Sequence, residues 1–279
     1  MRQRFLNLMM RKKLKLLFGL LLASATLFFT SVGFAQSTAD EIAKYRQMIA
    51  DGNPSELYED AGAELWKKPA GPKNATLEKC NLGLGPGVIK GAAAQLPRYF
   101  NDTNKVQDLE SRLITCMSTL QGISVQEIVD APFQKGLKKD MDALVAYVVT
   151  ASKDQKIKVS MQHPKEKEAY ELGKRAFYYE GGPMDFSCAT CHGSNGKRIR
   201  LQDLPNLTTQ AGAAAGWGSW PAYRVSSGQF WTMGLRLNDC YRQQRFPFPI
   251  YGSDLLTAVS MFMAVNANGG TMQTPGLKR

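Results

Sequence analysis

Histidine is scarce in this chain: across 279 residues only His163 and His192 occur, and cysteine occurs only five times. That shortage bears on the one Cys-x-x-Cys pair, Cys188 and Cys191. A structural zinc site would need further ligands beside it, and Cys80, Cys116 and Cys240 all lie far away in sequence. The flanks show no βαβ pattern, which removes a thioredoxin-like dithiol. Beyond residue 35 no apolar run reaches the roughly 20 residues that a bilayer-spanning helix needs. Alternating apolar and polar runs are also missing, so the expected class is mainly α. Basic side chains are scattered with no nucleic-acid motif among them, and nucleic acid is set aside as a partner.

What is present is more specific. Cys188-Ala-Thr-Cys191-His192 is a covalent c-type haem attachment motif. Its two thiols add to the two vinyl groups of one haem, and the next residue lies beneath the iron as proximal ligand. The expected cofactor is one covalently bound haem c, on Cys188 and Cys191, with His192 on the iron. Such a haem implies export, and the N-terminus agrees. Arg2, Arg4, Arg11, Lys12, Lys13 and Lys15 precede an apolar stretch from Leu16 to Phe29, and Gly33-Phe34-Ala35 has the small residues of a signal-peptidase site. Residues 1–35 are therefore expected to be a cleaved signal peptide, and the mature chain to be periplasmic with no membrane span. Those 35 residues hold six of the 35 Lys and Arg and no Asp or Glu, which leaves 29 basic against 24 acidic side chains. A mature charge of +5 rather than +11 suits anionic ligands or acidic partners.

The mature length allows two domains of ordinary size. Residues 36–54 read as a helix with Ile42, Tyr45, Met48 and Ile49 on one face, and a second helical stretch follows Pro54. Residues 81–98 look irregular. Helices return at 108–120, through Leu109, Leu113, Cys116 and Leu120, and at 138–151, through Met141, Leu144, Val145 and Val148. The polar stretch Ser152–Ser160 is the expected linker. It divides a haem-free domain, 36–160, from a haem-binding cytochrome c domain, 161–279. In the second, Lys165–Tyr179 reads as an amphipathic helix through Ala169, Leu172, Ala176 and Phe177. The haem motif follows, then an irregular 201–221 that would wrap the haem edge. A short helix is expected within 224–240, and a closing helix from Ser253-Asp254 to Val265.

Two cysteines are committed to haem, and three remain. Cys80 and Cys116 fall in the first domain and Cys240 in the second, so a Cys80–Cys116 disulfide is expected in an oxidising compartment. The distal face of the iron needs its own ligand. Met261 and Met263 belong to the apolar pattern of the closing helix, and His163 lies upstream of the helix before the motif. Residue chemistry alone leaves Cys240 and Met233 equal. A thiolate would hold the haem at low potential, and Arg236, Arg242 and Arg245 near Cys240 would favour a thiolate and an anion.

Several longer motifs carry a resemblance. Phe186-Ser-Cys-Ala-Thr-Cys-His192, Leu237-Asn-Asp-Cys-Tyr-Arg-Gln-Gln-Arg245 and Met263-Ala-Val-Asn-Ala-Asn-Gly-Gly270 resemble the SoxA family, the cytochrome subunits of the sulfur-oxidising Sox system. Leu82-Gly-Leu-Gly-Pro-Gly-Val-Ile-Lys-Gly91, Pro97-Arg-Tyr-Phe-Asn-Asp102 and Asp108-Leu-Glu-Ser-Arg-Leu113 resemble its first domain. The resemblance implies two cytochrome c-like domains and a heterodimer with a small c-type cytochrome, SoxX. It implies an L-cysteine S-thiosulfotransferase that joins thiosulfate oxidatively to a cysteine of a carrier protein, SoxY bound to SoxZ, and passes electrons to a downstream acceptor. It places the family's distal ligand, a cysteine persulfide, at Cys240 and its substrate-binding arginine at Arg236. Some members carry two haems. This chain lacks C-x-x-C-H in its first domain and so resembles the single-haem type. The alternative from the residues alone is a periplasmic electron-carrier cytochrome without a substrate site.

Overall fold

Two pairs of packed helices, each closed by a glycine at its crossing, set the architecture. The computed structural model describes residues 52–199 and 202–278. The expected signal peptide and nearly all of the helix expected at 36–54 lie outside the described residues. The described residues from Pro54 onward form one unit.

Helix α1, Ser55–Lys67, packs along α4, Gly136–Thr150. The expected ridge of α4, Met141, Leu144, Val145 and Val148, is buried. At the crossing, a Cβ on Gly62 would run into the carbonyl of Ala143, so only glycine permits the approach. Between them lie α2, Leu109–Cys116, a π-helical turn at Met117–Gln121, and α3, Val125–Asp130, which periodicity did not foretell. Asp108 caps α2 by accepting the Ser111 N–H at 2.8 Å, while the Ser111 hydroxyl accepts the Asp108 N–H at 2.9 Å.

Residues 81–98 are irregular as expected, apart from a 3₁₀ turn at Ala93–Gln95 and the start of the hairpin β1–β2, Arg98–Phe100 with Lys105–Gln107. Helix α2 holds this loop twice. Cys80 and Cys116 form a disulfide with Cα atoms 5.5 Å apart. The Arg112 guanidinium donates to the Asn81 carbonyl at 2.7 Å and to both Asp102 oxygens at 2.9 and 2.8 Å, over the Phe100 ring. That pairing draws the Asp102 carboxyl below its usual range.

The second half repeats the device. Helix α5, Pro164–Tyr178, packs along α9, Asp254–Asn266, and a Cβ on Gly173 would run into the Ala258 carbonyl. Phe177 and Phe262 meet with ring centroids 4.9 Å apart. Cys80 follows Gly62 at the same spacing at which Cys191 follows Gly173. Between α5 and α9 come α6, Cys188–His192; β3–β4, Arg198–Ile199 with Gln202–Asp203; α7, Gln210–Trp217; and the hairpin β5–β6, Ala222–Arg224 with Gln229–Trp231. The hairpin feeds α8, Met233–Gln243, and β7, Gly276–Lys278, joins β5 in parallel.

Four expectations need correction. Strands do occur, but each spans two or three residues, too short for alternation to register. The stretch 201–221 is not wholly irregular, because Thr209 caps the Ala-rich α7 by accepting the Gly212 N–H at 3.2 Å. Ser152–Ser160 is no free linker. Ile157 and Val159 are buried, and the Lys158 and Ile157 amides donate to the Ala94 and Gly270 carbonyls at 2.8 and 2.9 Å. The segment is therefore tied to residues on both sides of it. Leu172, expected on the apolar face of α5, is instead 37% exposed.

Candidate functional site

Helix α6 is a single turn, and its cap decides where the thiols stand. The Ser187 hydroxyl accepts the Thr190 N–H at 3.2 Å and the Thr190 hydroxyl accepts the Ser187 N–H at 3.0 Å. This reciprocal cap stiffens Cys188 to His192 without tertiary help. Cys188 and Cys191 are half-buried and unbonded. His192 is held by the loop after it: Nδ1 lies 2.8 Å from the Pro205 carbonyl, and the Leu207 amide donates to the His192 carbonyl at 2.9 Å. A carbonyl only accepts, so Nδ1 carries the hydrogen and Nε2 keeps its lone pair for a metal. Burial drives the imidazole towards its neutral form.

Helix α8 brings the third thiol. The Thr232 hydroxyl caps it by accepting the Leu235 N–H at 3.3 Å, and Arg236 and Cys240 follow one turn apart on one face. Cys240 is unbonded. Burial raises its thiol pKa, Arg236 opposes that rise, and the fields of Asp239, Cys191 and Arg224 also reach it. Cys188 is pushed up to about 12 by burial first and Cys240 second. Cys188 thus feels the Cys240 thiol, and Cys240 feels Cys191, so the three thiols share one neighbourhood. Gln244 Nε2 lies 4.0 Å from Cys188 Sγ, and a cavity of about 770 Å³ opens beside that sulfur between Leu172, Tyr179, Tyr241, Phe246 and Pro249. Paired thiols on a stiff turn, a histidine with a free Nε2 and a third thiol in their neighbourhood fit a covalent haem, and the apolar cavity meets this group at Cys188.

Arg236 is aimed rather than free. It donates to Asp239 Oδ2 at 3.1 Å, and its guanidinium lies 5.7 Å from the Trp220 ring centroid. Arg242 takes the other oxygen of the same carboxylate at 2.7 Å. The structure therefore gathers Cys188, Cys191, His192, Cys240 and Arg236, while Met263 and Met233 belong to the apolar cluster against which Cys188 also packs. His163 caps α5 with its ring stacked 3.6 Å from Tyr99. Met261 and Met263 are buried in the core. Met233 is two turns from Cys240, packed against the cluster around Phe177 and Phe262. Sequence reasoning assigned no role to Asp239, which lies inside a quoted motif, or to the Pro205 carbonyl and Arg224, for which no local signal exists.

The position of α8 depends on the first half of the chain. Both oxygens of Glu110, from α2, accept the Gly234 amide at 3.0 and 2.9 Å. Burial, then the nearby Asp108 charge, raise the Glu110 carboxyl to about 8, and burial followed by Glu110 raises Asp142 to about 8. A carboxyl with a raised native pKa binds its proton more tightly folded than unfolded. Its stabilisation is complete below the unfolded value of 4.5 and is lost as pH climbs through about 8. The melting temperature should therefore fall between pH 5 and pH 8.5. Glu110→Gln keeps an acceptor for Gly234 without the charge, so differential scanning calorimetry should show a shallower fall; an unchanged pH slope would contradict the assignment.

Comparison with known proteins follows the same lines. The SoxA/TsdA, cytochrome c domain family model matches residues 61–157, within the half that has no C-x-x-C-H. The chain is 66% identical over 238 residues to the L-cysteine S-thiosulfotransferase subunit SoxA of Hydrogenophilus thermoluteolus, covering 85% of this chain and 87% of that one. It is 35% identical over 250 residues to a subunit of the same name from Hydrogenobacter thermophilus, covering 88% and 90%. In three dimensions it is similar to a chain in the crystal structure of SoxXA from P. pantotrophus, with a TM-score of 0.69 over 85% of this chain and 84% of that one. At 21% identity that likeness speaks for the fold.

Proposed function

This chain belongs to the SoxA family of L-cysteine S-thiosulfotransferase subunits, and from that premise we propose that Cys240 and Arg236 carry its thiosulfate chemistry. The observation that supports the reading is a Cys240 thiol in the electrostatic neighbourhood of the haem-motif cysteines, with Arg236 one helical turn before it on the same helix. Cys188 and Cys191 would hold one haem c per chain, and His192 Nε2 and the Cys240 sulfur, as thiolate or persulfide, would be the groups that bind its iron. When bound, the haem accepts electrons released as the sulfur–sulfur bond forms.

Arg236 neutralises part of the thiosulfate dianion and presents its outer sulfur to Cys240, which relays it to the carrier thiol. In sum, a carrier thiol and thiosulfate give a carrier S-thiosulfonate, one proton and two electrons. A single haem iron would accept only one of the two electrons, so the balance calls for a second haem on a SoxX-type partner and for a downstream acceptor. The carrier is a SoxYZ-type protein with an exposed cysteine, and the setting is the periplasm, reached through a signal peptide at residues 1–35. The repeated glycine crossings, Gly62 on Ala143 and Gly173 on Ala258, support two cytochrome c-like halves, 36–160 without haem and 161–279 with it.

Arg236→Ala should lower kcat/KM for thiosulfate by about 10- to 150-fold, the loss of one charge-assisted contact, with haem content intact. Arg236→Lys should recover only part, because an ammonium keeps the charge and loses the planar fork. The assay combines the chain with its small cytochrome, the carrier, thiosulfate and an electron acceptor. Unchanged constants in Arg236→Ala would remove Arg236 from the site.

A further inference from the structure

Arg236 and Arg242 share the Asp239 carboxylate, whereas Arg224 forms no ion pair with a carboxylate among the described residues. It closes strand β5, and its side chain shares a sheet face with Trp231 of the paired strand, because Ala222 pairs with Trp231 and Arg224 lies two residues on. The guanidinium carbon sits 4.7 Å from the Trp231 ring centroid. Its one side-chain partner is the Ser226 hydroxyl at 3.4 Å, through Nη2. Its Nε is buried without an acceptor among the described residues, and so is the indole N–H of Trp231. Buried donors of this kind are costly unless something accepts their hydrogens.

Chain connectivity carries this pair to the site. Trp231 is followed by Thr232 and then by α8, which bears Arg236 and Cys240. On the other side, Trp220, over which Arg236 lies, leads directly into β5. Arg224 and Arg236 feel each other's charge, and Arg224 also feels Asp239 and Cys240. Three guanidiniums, Arg224, Arg236 and Arg242, thus share a neighbourhood with one carboxylate, Asp239, which binds only the last two. Two like charges held beside a buried thiol, one with an unmet donor, call for an anion that brings several oxygens at once.

We propose that Arg224 is a second substrate-binding residue, which with Arg236 grips the sulfonate oxygens of thiosulfate and leaves the outer sulfur turned to Cys240. The proposal rests on the reading of Cys240 and Arg236 given above and extends it to specificity. Two guanidiniums around a three-oxygen group would favour thiosulfate and sulfite over an anion without a sulfonate group, such as hydrosulfide.

The test uses the haem-loaded chain with its small cytochrome partner. For Arg224→Gln, thiosulfate affinity by isothermal titration calorimetry, without carrier, and kcat/KM in the complete assay should both fall by about 10- to 150-fold. Inhibition by sulfite should weaken by a similar factor, and Arg224→Lys should recover part of each. Combined with Arg236→Ala, the losses should be non-additive, since both side chains hold one anion. Should Arg224→Gln unfold the hairpin, Arg224→Lys, which keeps charge and length, still reports through thiosulfate and sulfite affinity. Unchanged affinities and kinetics in a variant whose melting temperature drops would overturn the proposal and leave Arg224 as a brace on Trp231. If Arg236→Ala is impaired and Arg224→Gln is not, this inference alone fails. If neither variant nor Cys240→Ala is impaired, the reading of the whole site fails.

Discussion

Cys240→Ala should abolish conjugation of thiosulfate to the carrier thiol while the protein still folds and still holds its haem. The two outcomes separate because they rest on different residues. Covalent attachment needs only Cys188 and Cys191 on α6, and His192 is oriented by the Pro205 carbonyl, which the substitution does not touch. The sulfur removed is the one that Arg236 acts on from one turn away and that shares its neighbourhood with the α6 thiols. An alanine there leaves no sulfur to carry the thiosulfate and no ligand above the iron, so the loss should exceed the 10- to 150-fold estimated for a single anion contact (about 1.5–3 kcal/mol). Cys240→Met offers a control of another kind. It restores a sulfur ligand and should raise the haem potential, yet turnover should stay lost because a thioether cannot exchange sulfur. Turnover of Cys240→Ala at the unmutated rate would transfer the chemistry to some other group.

The second large effect concerns stability. Replacing Cys80 and Cys116 together by alanine should lower stability by about 3–4 kcal/mol, on the chain-entropy account of a cross-link with a sequence separation of 36. For a chain of this size that is a fall in melting temperature of roughly 6–16 °C. Arg112 would still tie the loop at 81–98 to α2 through Asn81 and Asp102, so the fold should persist at low temperature. Haem absorption should be unaffected, since neither cysteine lies near α6. Thermal unfolding followed by circular dichroism measures the shift, and a melting temperature within a degree or two of the parent would show that the disulfide adds nothing.

How much of this was legible depends on how locally each feature is encoded. Helix α4 declares itself because its apolar residues recur at helical spacing and are buried accordingly, and α9 because Ser253-Asp254 opens and Asn268-Gly269-Gly270 closes a long apolar run. The C-x-x-C-H turn is legible because its chemistry is contiguous. Helix α7, with the sequence Gln-Ala-Gly-Ala-Ala-Ala-Gly-Trp, has no polar face to contrast with an apolar one, so Gly and Ala read as loop. Ile157 and Val159 are two apolar residues in a polar stretch, and only their tertiary partners show that the stretch is anchored. The distal position divided evenly between Cys240 and Met233 on residue chemistry, because the choice depends on which turn of α8 faces α6. The motif resemblance favoured Cys240; helix phase does not separate the two, since residues seven apart share one face of α8. Arg224 escaped altogether: a hairpin, not a sequence spacing, brings it to the thiol.

The central claim is that Cys240 supplies a sulfur both to the iron and to the substrate. Electron paramagnetic resonance of the oxidised chain tests it most directly. The account predicts one low-spin ferric signal of the thiolate type per chain, lost in Cys240→Ala. A methionine- or histidine-ligated signal, or a spectrum that Cys240→Ala leaves unchanged, would contradict it.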